Sequence, residues 1–530
     1  MELCNQYIYE LIKINPTYND FFSISYQLND KQPNIYSNSY IQKENKLIEK
    51  YYKILKKKKH KTMCDKILFH ELQYFNKNID FNIDYIPLNY DNNIIFTFIN
   101  QLNGSDSYYF KTDQDYIDFI NRLKQLNTIT NSMIANMNEG IKKKFVQPKI
   151  IILNLINFFN YTLSNGIKTN QISKKFKKKI DTSIDKYLLF NINKINNYLK
   201  TKYIKHCRDT IGYYDLKNGV KMYSELIKQF TCNTMNINKI LQIANRDILK
   251  ILENIKSIKL KTKFNGTYDE FKYFILNNKK FKIKSEKQLI QVLYSIQDNI
   301  TKYVLPKYFY NTTEDINYKI KCNNFKESIL SPYYIQLFKG AKGTMNINKN
   351  TLDHLHINEL YVLSLHEGNP GHNYEQVMHE HKEDYILHNN YTCYAEGWAF
   401  YVEEFYHGQN LYNILFKYIY ELHRLLRLYI DIGIHYHRWS YEYTFSFMKK
   451  CTFMDDKSIK NEILRYISDP GQALSYYIGR DIIYYYKKEY LKKNKNKTIK
   501  DFHKLFLDIG PCPMDIFIDE MVQLGYSRYN

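Results

Sequence analysis

The sequence predicts a large, mainly α-helical protein with at most one small β-sheet. Three observations carry that expectation. Apolar residues recur at three- and four-residue spacing through most of the 530 residues, few segments alternate, and glycine (17) and proline (10) are scarce. Residues 115–126 (DYIDFINRLKQL), 222–230, 236–255 and 285–300 read as amphipathic helices, several with Asp or Ser before them as N-caps. The best short strand is GTMNIN (343–348), just ahead of a histidine-bearing helix. The densest run of turn residues, 306–345, carries Pro306, Pro332, Gly340 and Gly343. It is expected to separate an N-terminal helical region (1–305) from a C-terminal region (306–530). With no repeat and no long linker, the two should form one unit around a cleft.

Composition narrows the function classes. Apolar residues make up 44% and charged residues 25%, ordinary values for a soluble globular protein. The net charge of +22 invites a nucleic-acid reading, but the lysine blocks at 53–61 and 173–180 lie in no RNA- or DNA-binding motif. Solvated helix faces account for them, and no specific nucleic-acid partner is expected. The eight cysteines form no C-x-x-C pair, which excludes a zinc knuckle and a thioredoxin-type site. Dispersed thiols suit a reducing compartment. The N-terminus has Glu2 and no apolar core, so no signal peptide is read there, and no apolar run approaches the ~18 residues of a membrane span. The expectation is an intracellular, cytoplasmic protein or one packaged in a viral particle. The sequence does not set its oligomeric state.

The chemistry concentrates at LSLHEGNPGHNYEQ (363–376). In H-E-x-x-H, one helical turn brings two imidazoles to one face and a Glu beside the open metal position. Here His366 and His372 are six apart, which on an ideal helix turns the second about 120° away and ~9 Å along the axis. Pro370 lacks the N–H that would bond the His366 carbonyl, and Gly371 permits a sharp backbone path. A deformed helix could therefore return His372 beside His366. A third ligand is available in CYAEGWAFYVEEF (393–405), where Glu396 sits in an apolar, aromatic run. Glu403 lies on the same face, where it could accept a proton from the far nitrogen of a ligand histidine or stand as an exposed carboxylate.

These residues resemble the DUF885 family of bacterial zincin-like proteins, whose members carry H-E-x-x-P-G-H-H followed by E-G-W-A. Further blocks match in order: 427–448 (RLYIDIGIHYHRWSYEYTFSFM), 465–480 (RYISDPGQALSYYIGR) and 501–517, with 133–148, 216–227 and 331–336 upstream. The resemblance implies a large multi-helix zincin-like metallopeptidase fold of gluzincin type. It also implies Zn2+ held by His366, His372 and Glu396, Glu367 as general base, and short peptide substrates. One departure is Asn373, where the family has a second histidine. His435 and Tyr476 fall within family blocks and are candidate donors to a reaction oxyanion. Tyr477, Arg480, Arg427 and Asn346 are weaker substrate-binding candidates, Asn346 because GTMNIN could be an edge strand that pairs with peptide. His379, His381, His388 and His437 lie outside the motifs and read as surface or helix-face residues. The rival expectation is a catalytically inert relative serving as a structural or binding protein.

Overall fold

The computed structural model describes residues 3–529 except 19–29, 59–61, 79–80, 82, 91–92, 104–109, 111, 168, 170–171, 232–235, 311, 313–315, 324–332, 336–341, 353, 383–390, 407 and 409. His388 and half of segment 331–336 (331, 332 and 336) thus lie outside the described residues. The chain is mainly helical with one small sheet, as its periodicity predicts. The expected helices appear at Asp113–Lys124, Gly219–Thr231, Ile237–Lys261 and Glu286–Asn299. Caps set their starts: Thr112, Asn236 and Ser285 each accept a backbone N–H of the first turn.

Two compact units are present, one of Met1–Met222 and one built of Tyr223–Lys382 with Asn389–Asn530. In the first, helices α1 (Leu3–Ile14), α2 (Asn38–Lys56) and α3 (Met63–Asn78) pack together. Tyr7 meets Tyr51 edge-on, and a disulfide joins Cys4 to Cys64. The cysteine pair is a correction to the expectation of free thiols throughout.

The second unit contains the whole histidine constellation. Its turn-rich stretch 306–345 supplies β1 (Lys319–Asn323), β2 (Tyr333–Ile335) and the start of β3 (Thr344–Asn348). The strand order is β1-β3-β2, with β3 parallel to β1 and antiparallel to β2. GTMNIN is therefore the central strand. Asn346 pairs in register with Lys321 and Tyr333, so β3 offers no free edge to a peptide. Ile320 and Cys322 of β1, with Met345 and Ile347 of β3, join Leu289, Leu293, Leu360 and Leu363 in one buried cluster. That cluster seats the sheet against the helix that carries His366.

Two long helices form the other side of this unit, α4 (Ile237–Lys261) and α5 (Leu411–His435), which pack along each other. Asp431, near the end of α5, accepts hydrogen bonds from the Tyr223 hydroxyl (2.5 Å) and the Gly471 N–H (3.0 Å). It thereby ties the D-x-G-x-H block to the P-G-Q-A turn. Burial pushes its carboxyl up to about 7, against the pull of those two donors. An unfolded-chain Asp ionises near ~3.9. The folded state thus keeps a proton that the unfolded state has lost, and stability falls as pH rises from about 4 to about 7. Asp431→Asn should flatten that fall by up to ~1.4 kcal/mol per pH unit, read from urea unfolding across the window. An unchanged slope would place the titration elsewhere.

Candidate metal centre

The H-E-x-x-P-G-H stretch forms two helices rather than one bulged helix. The first, α6 (Leu360–Glu367), ends on Glu367, and the second, α7 (His372–His379), starts on His372. Residues 368–371 turn the chain between them, with Asn369–Pro370 in the cis form. Gly371 is required by close approach, since a Cβ there would lie 1.9 Å from the His366 carbonyl oxygen. Trp398 Nε1 donates to the Pro370 carbonyl at 2.9 Å, so the tryptophan of E-G-W-A pins the turn that replaces the helix.

Asn373 holds the same turn from the other side. Its Nδ2 donates to the carbonyl of Ile316 (2.5 Å) and to Asn369 Oδ1 (2.8 Å). The amide is buried, and its nitrogen is committed to the turn. The departure from the family pattern falls on a turn-holding position, and His372 supplies the imidazole that reaches Glu396.

Glu396 lies on α8 (Thr392–Val402), which packs against α9 (Ser475–Lys493). Gly397 and Gly479 make that approach possible: a Cβ on Gly479 would lie 2.0 Å from the Cys393 carbonyl oxygen. Between these helices and α6, three ligand-type atoms converge. His366 Nε2 is 3.3 Å and His372 Nε2 3.7 Å from Glu396 Oε2. Tetrahedral zinc with ~2.0–2.1 Å bonds separates its ligands by about 3.3 Å. Glu396 Oε2 is buried with no properly directed hydrogen-bond partner, so the two imidazole nitrogens are what face it. Among the described residues this is the one cluster of histidine and acidic side chains that converges closely enough to hold a metal ion.

The outer nitrogen of His366 is also specified. Glu403 Oε1 lies 2.8 Å from Nδ1, and Glu403 is buried, which decides between its two sequence readings. With Nδ1–H donated to a carboxylate, Nε2 carries the lone pair that a metal needs. Arg424 of α5 completes the arrangement. Its Nη2 is 2.8 Å from Glu403 Oε1 and 3.3 Å from His366 Nδ1, and its guanidinium lies over the Phe400 and Tyr420 rings. Arg424 is absent from the sequence-derived set. The available signal was an arginine inside an apolar helix, a charge that burial requires to be paired.

Charge is shared tightly here. Burial works against a charged His366, yet Glu396 and Glu403 hold it up at about 9. His372 is raised as well, burial again opposing and Glu396 prevailing. Burial likewise opposes the charge of Glu396, and the two imidazoles overcome it, holding the carboxyl well below its usual range. A divalent cation would take the place of those imidazole protons. Glu367, buried on the last turn of α6, adds its negative charge to the field at both rings.

Of the downstream candidates, Tyr476 reaches the site. Its hydroxyl donates to Glu396 Oε1 (2.9 Å) and accepts from Arg465 Nη2 (2.9 Å). His435 does not. It is fully buried, its Nε2 meets the Tyr466 carbonyl at 2.9 Å, and its ring packs on Tyr223. On α5 it lies eleven residues past Arg424, ~16 Å along the axis. Tyr477 donates to Asp247, and Arg480 pairs with Glu421 at 2.7 Å while covering Phe400. Asn346 Nδ2 bonds the Thr344 carbonyl within the sheet. Arg427 pairs with Glu462 at 3.3 Å. His379 corrects the surface reading: it is fully buried, between Glu375 and the Leu507 carbonyl. His381 and His437 are exposed, as expected.

The family model described as "Bacterial protein of unknown function (DUF885)" matches residues 16–521. The chain belongs to the DUF885 family. No curated protein matches it. Two of the solved structures that share the fold serve as comparisons. One, described as a candidate lipoprotein from Colwellia psychrerythraea, has a TM-score of 0.82 at 20% identity, covering 97% of each chain. The other, a candidate lipoprotein of unknown function from Shewanella oneidensis, has a TM-score of 0.75 at 16% identity, covering 98% of this chain and 99% of its own. These descriptions overturn the intracellular or virion-packaged expectation. The premise of dispersed free thiols fails with it, at Cys4 and Cys64. No described helix is long and apolar enough to cross a membrane.

Were zinc to fill this centre, Glu403→Gln would weaken its binding by about tenfold to a hundredfold in chelator competition, with the fold retained. Asn373→Ala would lower the melting temperature and leave that zinc in place; loss of zinc from the folded variant would put position 373 in the ligand set.

Proposed function

We propose that this DUF885 protein is a zinc-dependent, zincin-like metallopeptidase that cleaves short peptides. The supporting observation is the convergence of His366 Nε2 and His372 Nε2 on Glu396 Oε2, with the far side of His366 held by Glu403. A structural ion pair explains this poorly. Buried charges cost several kcal/mol each to desolvate, and apolar replacements of equal volume are often as stable. A metal-ligand set explains why two imidazoles and a carboxylate share one buried point.

Bound zinc supplies Lewis-acid activation of a water and of the scissile carbonyl. The chain's own groups do the rest. Glu367, next to His366 and close to both rings, takes a proton from the attacking water as its oxygen bonds the carbonyl carbon. It then delivers that proton to the leaving amine as the C–N bond breaks. Tyr476, polarised by Arg465, commits its one hydroxyl proton to Glu396 and so orients that carboxylate.

Glu367→Gln should keep stoichiometric zinc and lose hydrolysis of a peptide library by ~10²–10⁴-fold. Wild type should lose activity to a chelator and regain it with zinc. Equal cleavage by wild type and variant, or purified wild type without zinc by mass spectrometry, would sink this reading.

A further inference from the structure

Beside Glu396 lies a cationic group that reaches the metal site only through Tyr476. Glu462, on the helix Asp456–Ser468, faces two guanidiniums, Arg427 at 3.3 Å and Arg465 at 3.6 Å. It also accepts from the Tyr466 hydroxyl (2.7 Å). His423, 3.5 Å from Glu462, adds no charge near neutrality, because burial and Arg427 lower it to about 4. Two cations thus meet one anion. The surplus rests on Arg465, whose side chain is 26% exposed while that of Arg427 is 9% exposed.

Arg465 is held but not saturated. Its Nη2 donates to Tyr476 and to Gln472 Oε1, each at 2.9 Å. Its Nη1 lies 3.6 Å from Glu462, beyond hydrogen-bond reach. Nη2 thus spends both its protons on neutral partners, which leaves Nη1 and Nε as charged donors without a hydrogen bond, able to meet a carboxylate oxygen. Its place relative to the metal centre follows from Tyr476. That hydroxyl touches both Arg465 and Glu396, so two hydrogen-bond lengths at most separate the guanidinium from the ligand carboxylate. A metal held by Oε2, the other oxygen of Glu396, would lie up to about 4 Å further on. The whole span matches one or two residues of extended peptide at ~3.3–3.6 Å each.

We propose that Arg465 binds the free C-terminal carboxylate of a short peptide, so that cleavage releases one or two residues from that end. This rests on the peptidase reading given above and names its substrate class. Tyr476 and Gln472 are positioning residues that aim the guanidinium.

The test compares acetyl-tetraalanine as the free acid with its C-terminal amide. Binding to zinc-loaded Glu367→Gln protein is followed by calorimetry, and hydrolysis by wild type by mass spectrometry. The free acid should bind about tenfold to a hundredfold tighter. Arg465→Met should remove that preference with zinc content unchanged, and Arg465→Lys, which keeps the charge without the fork, should restore part of it. Wild-type cleavage should fall one or two residues from the free C-terminus. Equal binding of acid and amide, or no binding of either, overturns the carboxylate site, and so does a preference that survives Arg465→Met in folded protein. A preference for the acid without any hydrolysis would keep the carboxylate site and overturn the peptidase reading instead.

Discussion

The contact on which the centre depends is the one between His366 Nδ1 and Glu403. It selects the tautomer that turns Nε2 inward, and so decides what Glu396 faces. Arg424 makes that contact sustainable, because a carboxylate buried against an imidazole alone would carry uncompensated charge. Three helices meet to build it: α6 brings His366, the turn after α8 brings Glu403, and α5 brings Arg424. The apolar packing of those helices is thus the frame for a short chain of charged groups.

The same logic explains the motif residues that touch no ligand. Trp398 holds the Pro370 carbonyl, Gly397 and Gly479 let two helices close, and Asp431 binds the Gly471 turn. His503 of the closing F-H block lies between the Tyr308 carbonyl and the Tyr401 hydroxyl, stacked on Phe309. Each fixes a backbone path that delivers a site residue or its support. Their chemistry is that of packing and hydrogen bonding, even where the residue is a histidine.

Much of the centre was legible because its signals are local. Carboxylates seven apart in an apolar helix, and histidines flanking Pro-Gly, announce convergence through short-range geometry. His435 misled for a related reason: it sits in a motif, but its motif builds the α5 terminus rather than the site. GTMNIN was legible as a strand and illegible as a central one, because its neighbours are drawn from segments 21 and 9 residues away with no marked hairpin. Arg424, Arg465 and Glu462 have no spacing rule that joins them to His366.

The sequence by itself determined a helical chain of the DUF885 family, with two histidines and one glutamate placed to share a point. Periodicity, caps and a Pro-Gly break act within a few residues, so they can be read without a partner. Only the tertiary structure decided which nitrogen of His366 turns inward, that Asn373 holds a turn, that Tyr476 rather than His435 reaches Glu396, and which arginine is left partly unsatisfied. Those outcomes depend on distances between helices far apart in sequence, and the burial that selects them exists only once the helices have packed.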